Sequence, residues 1–175
     1  PTDAIIPDVG GHMKKITIAE KGRLLIAVQA KGTAAHASRP KLGDNAITAM
    51  SQFLTSLSNY QLKHKESPLF PDGPTVNIGL IKGGAAPNQV PDSCETILDI
   101  RYLPTQPPKD IIKELQNLAE NKNITFTIRD DHTPLEIPAD APIIQAIRKH
   151  ADAKLVGIGG GTVSKVMIER DIFVL

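Results

Sequence analysis

The sequence predicts an α+β fold: a split βαβ (ferredoxin-like) sheet of four antiparallel strands with two helices on one face. Three observations carry it. Between Arg23 and Arg129 the hydrophobic pattern switches in the order strand, helix, strand, strand, helix, strand. The two helical stretches each show a single apolar stripe, so both cover one face of a sheet. After Asp131 the patterning changes, which marks material outside that unit.

Met13 to Ala19 alternates and ends on the turn signal Glu20-Lys21-Gly22, where a hairpin or a crossing into a new domain is expected. Arg23 to Ala30 contains the run Leu24-Leu25-Ile26-Ala27-Val28, bounded by Gly22 and Gly32, and reads as a strand buried on at least one face. Asp44 is placed to cap a helix whose Ile47, Met50, Leu54 and Leu57 recur at spacings of three and four. Ser58 to Pro74 lacks periodicity and reads as a surface loop without pocket chemistry. Thr75 to Ile81 alternates with Val76, Ile78 and Leu80 on one side, and Ser93 to Tyr102 with Thr96, Leu98 and Ile100 on one side. Pro107-Pro108 opens a second helix with Ile111, Ile112, Leu115, Leu118 and Ala119 in one stripe, and Ile124, Phe126 and Ile128 alternate after it. Asp140-Ala141-Pro142 starts a third helix with Ile143, Ile144 and Ile147; a Gly159-Gly160-Gly161 turn follows, and Ile172 to Leu175 reads as an apolar strand. Residues 1–22 and 132–175 are thus expected to be parts of one other domain, interrupted by residues 23–131.

A chain of 175 residues suffices for one domain with segments of another. Lys plus Arg number 20 against 19 Asp plus Glu, so no basic field exists to collect phosphates, and two Tyr, four Phe and no Trp leave few rings for stacking bases. Nucleic acid is therefore excluded as a partner. The longest apolar runs are about five residues against the roughly 20 that span a bilayer, and no membrane association is expected. The single Cys94 leaves no internal disulfide and fits a reducing, cytoplasmic setting. A start at Pro1 rather than Met leads to the expectation of a piece excised from something longer.

Four stretches could carry chemistry. In Lys31 to Pro40 a small-residue loop presents His36 beside Ser38 and Arg39. A lone loop histidine bonded to backbone is the default reading, and His12, His64, His132 and His150 show no paired metal-ligand spacing. Gly83 to Pro91 is too rich in Gly and Pro for a minimal hairpin and holds Asn88, a turn former by default. Arg101 lies on the face of its strand opposite Leu98 and Ile100, beside Asp99 and Glu95, where a surface ion pair is the ordinary assignment. In Gly159-Gly160-Gly161-Thr162, backbone N–H groups and a hydroxyl could hold a carboxylate, and the Lys-Ser/Thr of a phosphate loop is missing.

Together these stretches resemble a known family. Gly32–Ile47 (GTAAHASRPKLGDNAI) followed by Val76–Pro104 (VNIGLIKGGAAPNQVPDSCETILDIRYLP) is similar to the two-zinc hydrolases that include aminoacylases, acetylornithine deacetylases, succinyl-diaminopimelate desuccinylases, carnosinase-type dipeptidases and glutamate carboxypeptidases. The resemblance runs over essentially the whole chain. It implies a lid, or dimerisation, domain at 23–131 and incomplete α/β catalytic-domain segments at 1–22 and 132–175. His36 would match the lid histidine that crosses the dimer interface to hold the oxyanion in the partner's site. Asn88 would contact substrate in the same way, Arg101 would bind the substrate carboxylate, and Gly161 and Thr162 would line the pocket. The family's Asp or Ser, Ala or Gly, then Arg after that Thr is replaced by Val163-Ser164-Lys165.

The resemblance also implies two zinc ions in the intact parent enzyme, activating a water that a Glu deprotonates for attack on an amide. Pro1-Thr2-Asp3 resembles the stretch after one acidic ligand, and Leu175 precedes the last His ligand, so no metal ligand is expected within this chain. The expected substrate is a small N-acyl amino acid or short peptide, and the expected partner a second copy. Two other classes fit the architecture: a stand-alone small-molecule-binding module, and a purely structural dimerisation module.

Overall fold

A computed structural model describes residues 3–6, 14–119, 123–165 and 173–174. At its centre lies a four-stranded antiparallel sheet of β3 (Gly22–Lys31), β5 (Thr75–Gly83), β7 (Ser93–Tyr102) and β8 (Ile124–His132), in the order β5-β7-β3-β8. That is the split βαβ order, with the first and third strands of the unit paired in the middle. Strands β3 and β7 pair without interruption from Gly22↔Tyr102 to Lys31↔Ser93. Burial alternates strictly along β7, so Cys94, Thr96, Leu98, Ile100 and Tyr102 all face inward. Helices α1 (Ala46–Ser58) and α2 (Pro108–Leu118) cover that face, and Leu24, Ile26, Val28, Met50, Phe53, Ile111 and Leu115 close one core with it. Phe53 meets Phe126 edge-on, with ring centroids 5.5 Å apart.

Three local expectations change. The cap of α1 is Asn45 rather than Asp44: the Asn45 side chain accepts the Thr48 N–H at 3.0 Å, while the Asp44 carboxylate accepts the Thr33 hydroxyl. The buried stripe of α1 accordingly runs through Ala46, Ala49, Met50, Phe53 and Leu57, and Ile47 is exposed. In β5, Ile78 pairs with Leu98 but Leu80 pairs with Ile97, so an irregularity at Gly79 turns Leu80 to the opposite face. A one-residue slip inverts every side chain after it. Lastly, Ser58 ends α1, and residues 59–74 are irregular but partly buried: Leu62 and Phe70 are in the interior, and Gln106 Nε2 donates to the Lys63 carbonyl at 2.8 Å. With the end of α1 they line a cleft of about 430 Å³ that includes Tyr60, Gln61, His64 and Asp72.

The flanking segments build a second layer. Strand β2 (Lys15–Glu20) pairs in parallel with β10 (Lys154–Ile158) and antiparallel with β9 (Leu135–Glu136), and α3 (Pro142–Arg148) packs there through Ile144 against Ile16, Ile18 and Ile137. Strand β1 (Asp3–Ala4) pairs in parallel with β11 (Phe173–Val174). Of the expected terminal strand, Ile172 and Leu175 lie outside the described residues, as do Pro1, Thr2, His12 and Met13. Strands β2 and β3 are separated by Lys21 alone and belong to different sheets, so Glu20-Lys21-Gly22 is a crossing and not a hairpin.

At that crossing Gly22 faces Tyr102, whose hydroxyl donates to the Asp131 carboxylate at 2.6 Å; burial, then this neighbouring charge, push the phenol's pKa up. A Cβ on Gly22 would run into the Tyr102 ring. Gly22→Ala is therefore expected to lower stability by about 1–3 kcal/mol through overpacking, read as a lower urea midpoint at unchanged slope. An unshifted midpoint would show that the ring yields freely.

Candidate functional site

The sequence-predicted site residues gather at two ends of the sheet. At the first end, β4 (Ala35–His36) and β6 (Gln89–Val90) form a two-stranded ladder with His36 opposite Gln89, and the Ala37 N–H donates to the Asn88 carbonyl at 2.9 Å. The loop that carries His36 is fixed at its base by the Gly32 N–H to Asp92 O at 2.8 Å and by the Thr33–Asp44 bridge. His36 and Asn88 thus become neighbours although 52 positions separate them (88 − 36). The 3₁₀ turn Pro40–Leu42 follows, and an open cleft of about 570 Å³ lies alongside, lined by Ala37, Pro40, Ile47, Ala86, Pro87 and Val90.

His36 is exposed, and its Nδ1 accepts the Ser38 backbone N–H at 3.2 Å and lies 2.8 Å from the Ser38 hydroxyl. An Nδ1 that accepts a backbone N–H leaves the ring proton of the neutral imidazole on Nε2. His36 therefore presents an N–H donor at the tip of the loop. Chemically, that is a group able to stabilise an oxyanion.

At the second end stands Arg101, its Nε 2.7 Å and its Nη2 3.1 Å from the two Asp99 oxygens. Arg23, directly opposite on β3, reaches Asp99 at 3.6 Å and Asp130 at 3.4 Å, and His132 lies 2.9 Å from Asp130. These half-buried side chains cover the sheet face away from the helices. Arg101 is thus held in a bidentate grip that leaves Nη1 as its unengaged corner among the described hydrogen bonds.

The Gly161-Thr162 turn comes to this end as well, and it holds a carboxylate supplied by the chain itself. Glu20 Oε2 accepts the Thr162 N–H at 3.1 Å, and Glu20 Oε1 accepts the hydroxyls of Thr162 at 2.5 Å and Ser164 at 2.7 Å. Lys165 folds over Gly161, where a Cβ would meet its Cε, and its Nζ donates to the Lys21 carbonyl at 2.6 Å. Burial lowers the Lys165 pKa; Glu20 opposes the shift, and Arg101 and Arg23 add to it. Glu20, Ser164 and Arg23 were not singled out from sequence. A buried carboxylate whose donors lie 142 residues away leaves no local pattern.

Among the described residues no group of three or more His, Cys, Asp or Glu side chains stands together as a metal-ligand set. The described residues therefore do not fit a zinc site. Among the same residues no helix is long and apolar enough to cross a membrane.

Residues 18–127 match the family described as "Peptidase dimerisation domain". The chain is 29% identical over 186 residues to an "uncharacterized metallohydrolase" of Methanocaldococcus jannaschii, covering 91% of this chain and 45% of that protein. It is 34% identical over 143 residues to acetylornithine deacetylase of Edwardsiella ictaluri, covering 75% of this chain and 37% of the enzyme. Among solved structures it is similar to a tripeptidase of Staphylococcus aureus (TM-score 0.76, 20% identity, 99% of this chain and 47% of that one). It is also similar to the dipeptidase Dug1p of Saccharomyces cerevisiae (TM-score 0.66, 14% identity, 98% and 51%). The structural likenesses establish the fold. The chain spans less than half the length of the curated relatives named here.

Proposed function

The chain belongs to the peptidase dimerisation domain family, and from that premise we propose that it is the dimer-forming lid, with flanking catalytic-domain segments, of a metal-dependent hydrolase of N-acyl amino acids or short peptides. The observation that carries the proposal is the separation of the two ends. From Lys31↔Ser93 to Arg23↔Arg101 the ladder advances eight residues (31 − 23), roughly 27 Å at 3.4 Å per residue. His36 and Asn88 sit beyond the first of these ends, and Arg101, Gly161 and Thr162 at the second. A molecule the size of an acylated amino acid does not reach both within one protomer. A two-fold copy does join them if its His36 loop meets this chain's Arg101 end.

In this reading His36 Nε2–H of one subunit donates to the oxyanion formed at the partner's site, and Asn88 holds the substrate beside it. Arg101, kept in orientation by Asp99, offers its unengaged guanidinium edge to the substrate carboxylate. Gly161 and Thr162 line the same pocket. The two zinc ions that the family resemblance implies would be held by residues outside those described. The proposed domain boundaries at 22/23 and 131/132 are supported by the change of sheet at Lys21 and by the end of β8 at His132, each of which lies within about one residue of them. A cytoplasmic setting fits Cys94, a free and buried thiol.

The dimer would form along β5 and α1. Strand β5 is an edge strand, and Ile78, Leu80 and Ile81 on it are exposed, as is Ile47 on α1. A nine-residue edge with that much bare apolar surface invites pairing unless something covers it. Because α1 follows the His36 loop directly, pairing there brings the loop towards the partner.

In the intact enzyme His36→Ala is expected to depress kcat by the equivalent of about 3–4 kcal/mol with little change in KM, the mark of a donor that acts in the transition state. An unchanged kcat removes His36 from catalysis. Arg101→Ala should mainly raise KM for carboxylate-bearing substrates; the same loss on an amidated analogue would make Arg101 a structural residue. Sedimentation equilibrium of the 175-residue chain should show a dimer, and a strict monomer at high micromolar concentration would reject the lid as the dimer contact and with it the action of His36 in trans.

A further inference from the structure

Glu20 is 2% exposed and stands where β2 hands the chain to β3. A carboxylate stripped of water persists only where donors replace its hydration. Here all three donors come from one turn: the Thr162 N–H, the Thr162 hydroxyl and the Ser164 hydroxyl. Ser164 is itself 3% exposed, and its own N–H donates to Thr162 Oγ1 at 3.2 Å. No cation hydrogen-bonds to Glu20 among the described residues; the nearby Lys165 ammonium donates to the Lys21 carbonyl. A buried side chain needed only for packing is served as well or better by an apolar one. A carboxylate retained here, with its bonds directed at a single turn, has a positional task.

We propose that Glu20 is a positioning residue that fixes the Gly159–Thr162 turn relative to Arg101. The inference rests on the reading of that turn and of Arg101 as parts of one substrate site. The turn leads out of β10 in one sheet, and Arg101 belongs to β7 in the other. Glu20 joins them, since it is bonded to the turn and lies two residues before Gly22, whose partner across the ladder, Tyr102, is Arg101's neighbour. The same bonds decide what the turn offers a ligand. The Thr162 N–H and hydroxyl both point to Glu20, so neither donates to substrate. Gly159 and Gly160, where an added Cβ would meet nothing within 4 Å, are the open backbone that remains. Recognition by the turn is thus assigned to main-chain groups of Gly159 and Gly160, with Gly161 lying under Lys165 and Thr162 acting as the link to Glu20.

The test uses the intact enzyme, with N-acetylornithine and trialanine as probes, and the variants Glu20→Gln, Thr162→Val and Ser164→Ala. Gln keeps the volume but offers one acceptor oxygen in place of two, so either the Thr162 N–H or the pair of hydroxyls loses its acceptor. Glu20→Gln is expected to raise KM about tenfold with kcat within about twofold, and to speed amide hydrogen exchange in residues 159–164 by a similar factor while β3 and β7 stay protected. Combined with Thr162→Val, the loss should stay close to that of the larger single change, since both break one link. A wild-type KM, unaltered exchange in the turn, or additive losses each overturn the proposal. Should Glu20→Gln fail to fold, Ser164→Ala removes one donor alone, and a KM unchanged in that variant overturns it equally. An unmodified enzyme inactive on both probes counts against the functional reading, and the exchange measurement then decides the tie of Glu20 to the turn on its own.

Discussion

The uninterrupted pairing of β3 with β7 is the constraint on which the other features depend. Ten matched pairs make these central strands one stiff ruler, with the His36 and Asn88 loops at one end and Arg101 at the other. The pairing of these two strands has no register shift; the irregularities fall in their neighbours, between Ile78 and Leu80 of β5 and where β8 meets Leu25 and Ile26. The two edges therefore adjust while the middle stays in register. Inward-facing Leu24, Ile26, Val28, Leu98 and Ile100 are all fully buried, so a slip of one residue would trade a closed core for charged side chains. Register and separation of the two ends are thus one property.

The second dependence is at the crossing of residues 20–22. Within three residues the chain leaves one sheet and begins another, and each residue is tied to a different distant segment. Glu20 holds the turn at 161–164, Lys21 donates its ammonium to the Gly73 carbonyl and its N–H to Ile158 O, and Gly22 makes room for Tyr102. Burial lowers the Lys21 pKa against the pull of Asp72, and the ammonium lies 5.9 Å from the centre of the Phe70 ring. These ties join the four-stranded sheet to the flanking layer. Among the described residues Ala19, Phe70 and Leu103 form a small buried cluster there, with Leu69 packed against it.

Most of the fold was legible because its signals are local. The period-two pattern of Ser93 to Tyr102 reappears as unbroken alternate burial, and the stripe of the second helix reappears with Ile111 and Leu115 innermost. What failed was legible only with a partner in view. Leu80 continues the alternation of Val76 and Ile78 on paper, yet Gly79 lets the strand slip against β7. Asp44 and Asn45 are both good caps by type, and the Thr33 hydroxyl across the loop is what takes Asp44. The site divides in the same way. His36, Asn88 and Arg101 stand out by composition and motif, whereas Glu20 looked like one letter of a turn, because its donors, Thr162 and Ser164, are 142 and 144 residues away.

Cys94 lies inside the edge of the sheet, 3% exposed and opposite Gly83 on β5; burial raises its thiol pKa. A Cβ on Gly83 would press on the Cys94 sulfur and on Ile47, so the last pairs of the β5 edge, with α1, help to shield this thiol from solvent. The protein therefore carries its own reporter. A small alkylating reagent reaches the sulfur when that corner of the sheet opens, and the reaction rate, compared with that of a free thiol, measures how often the edge breathes. Because the same edge is where a second copy would seat, alkylation followed as a function of protein concentration reads local opening and self-association with one natural label.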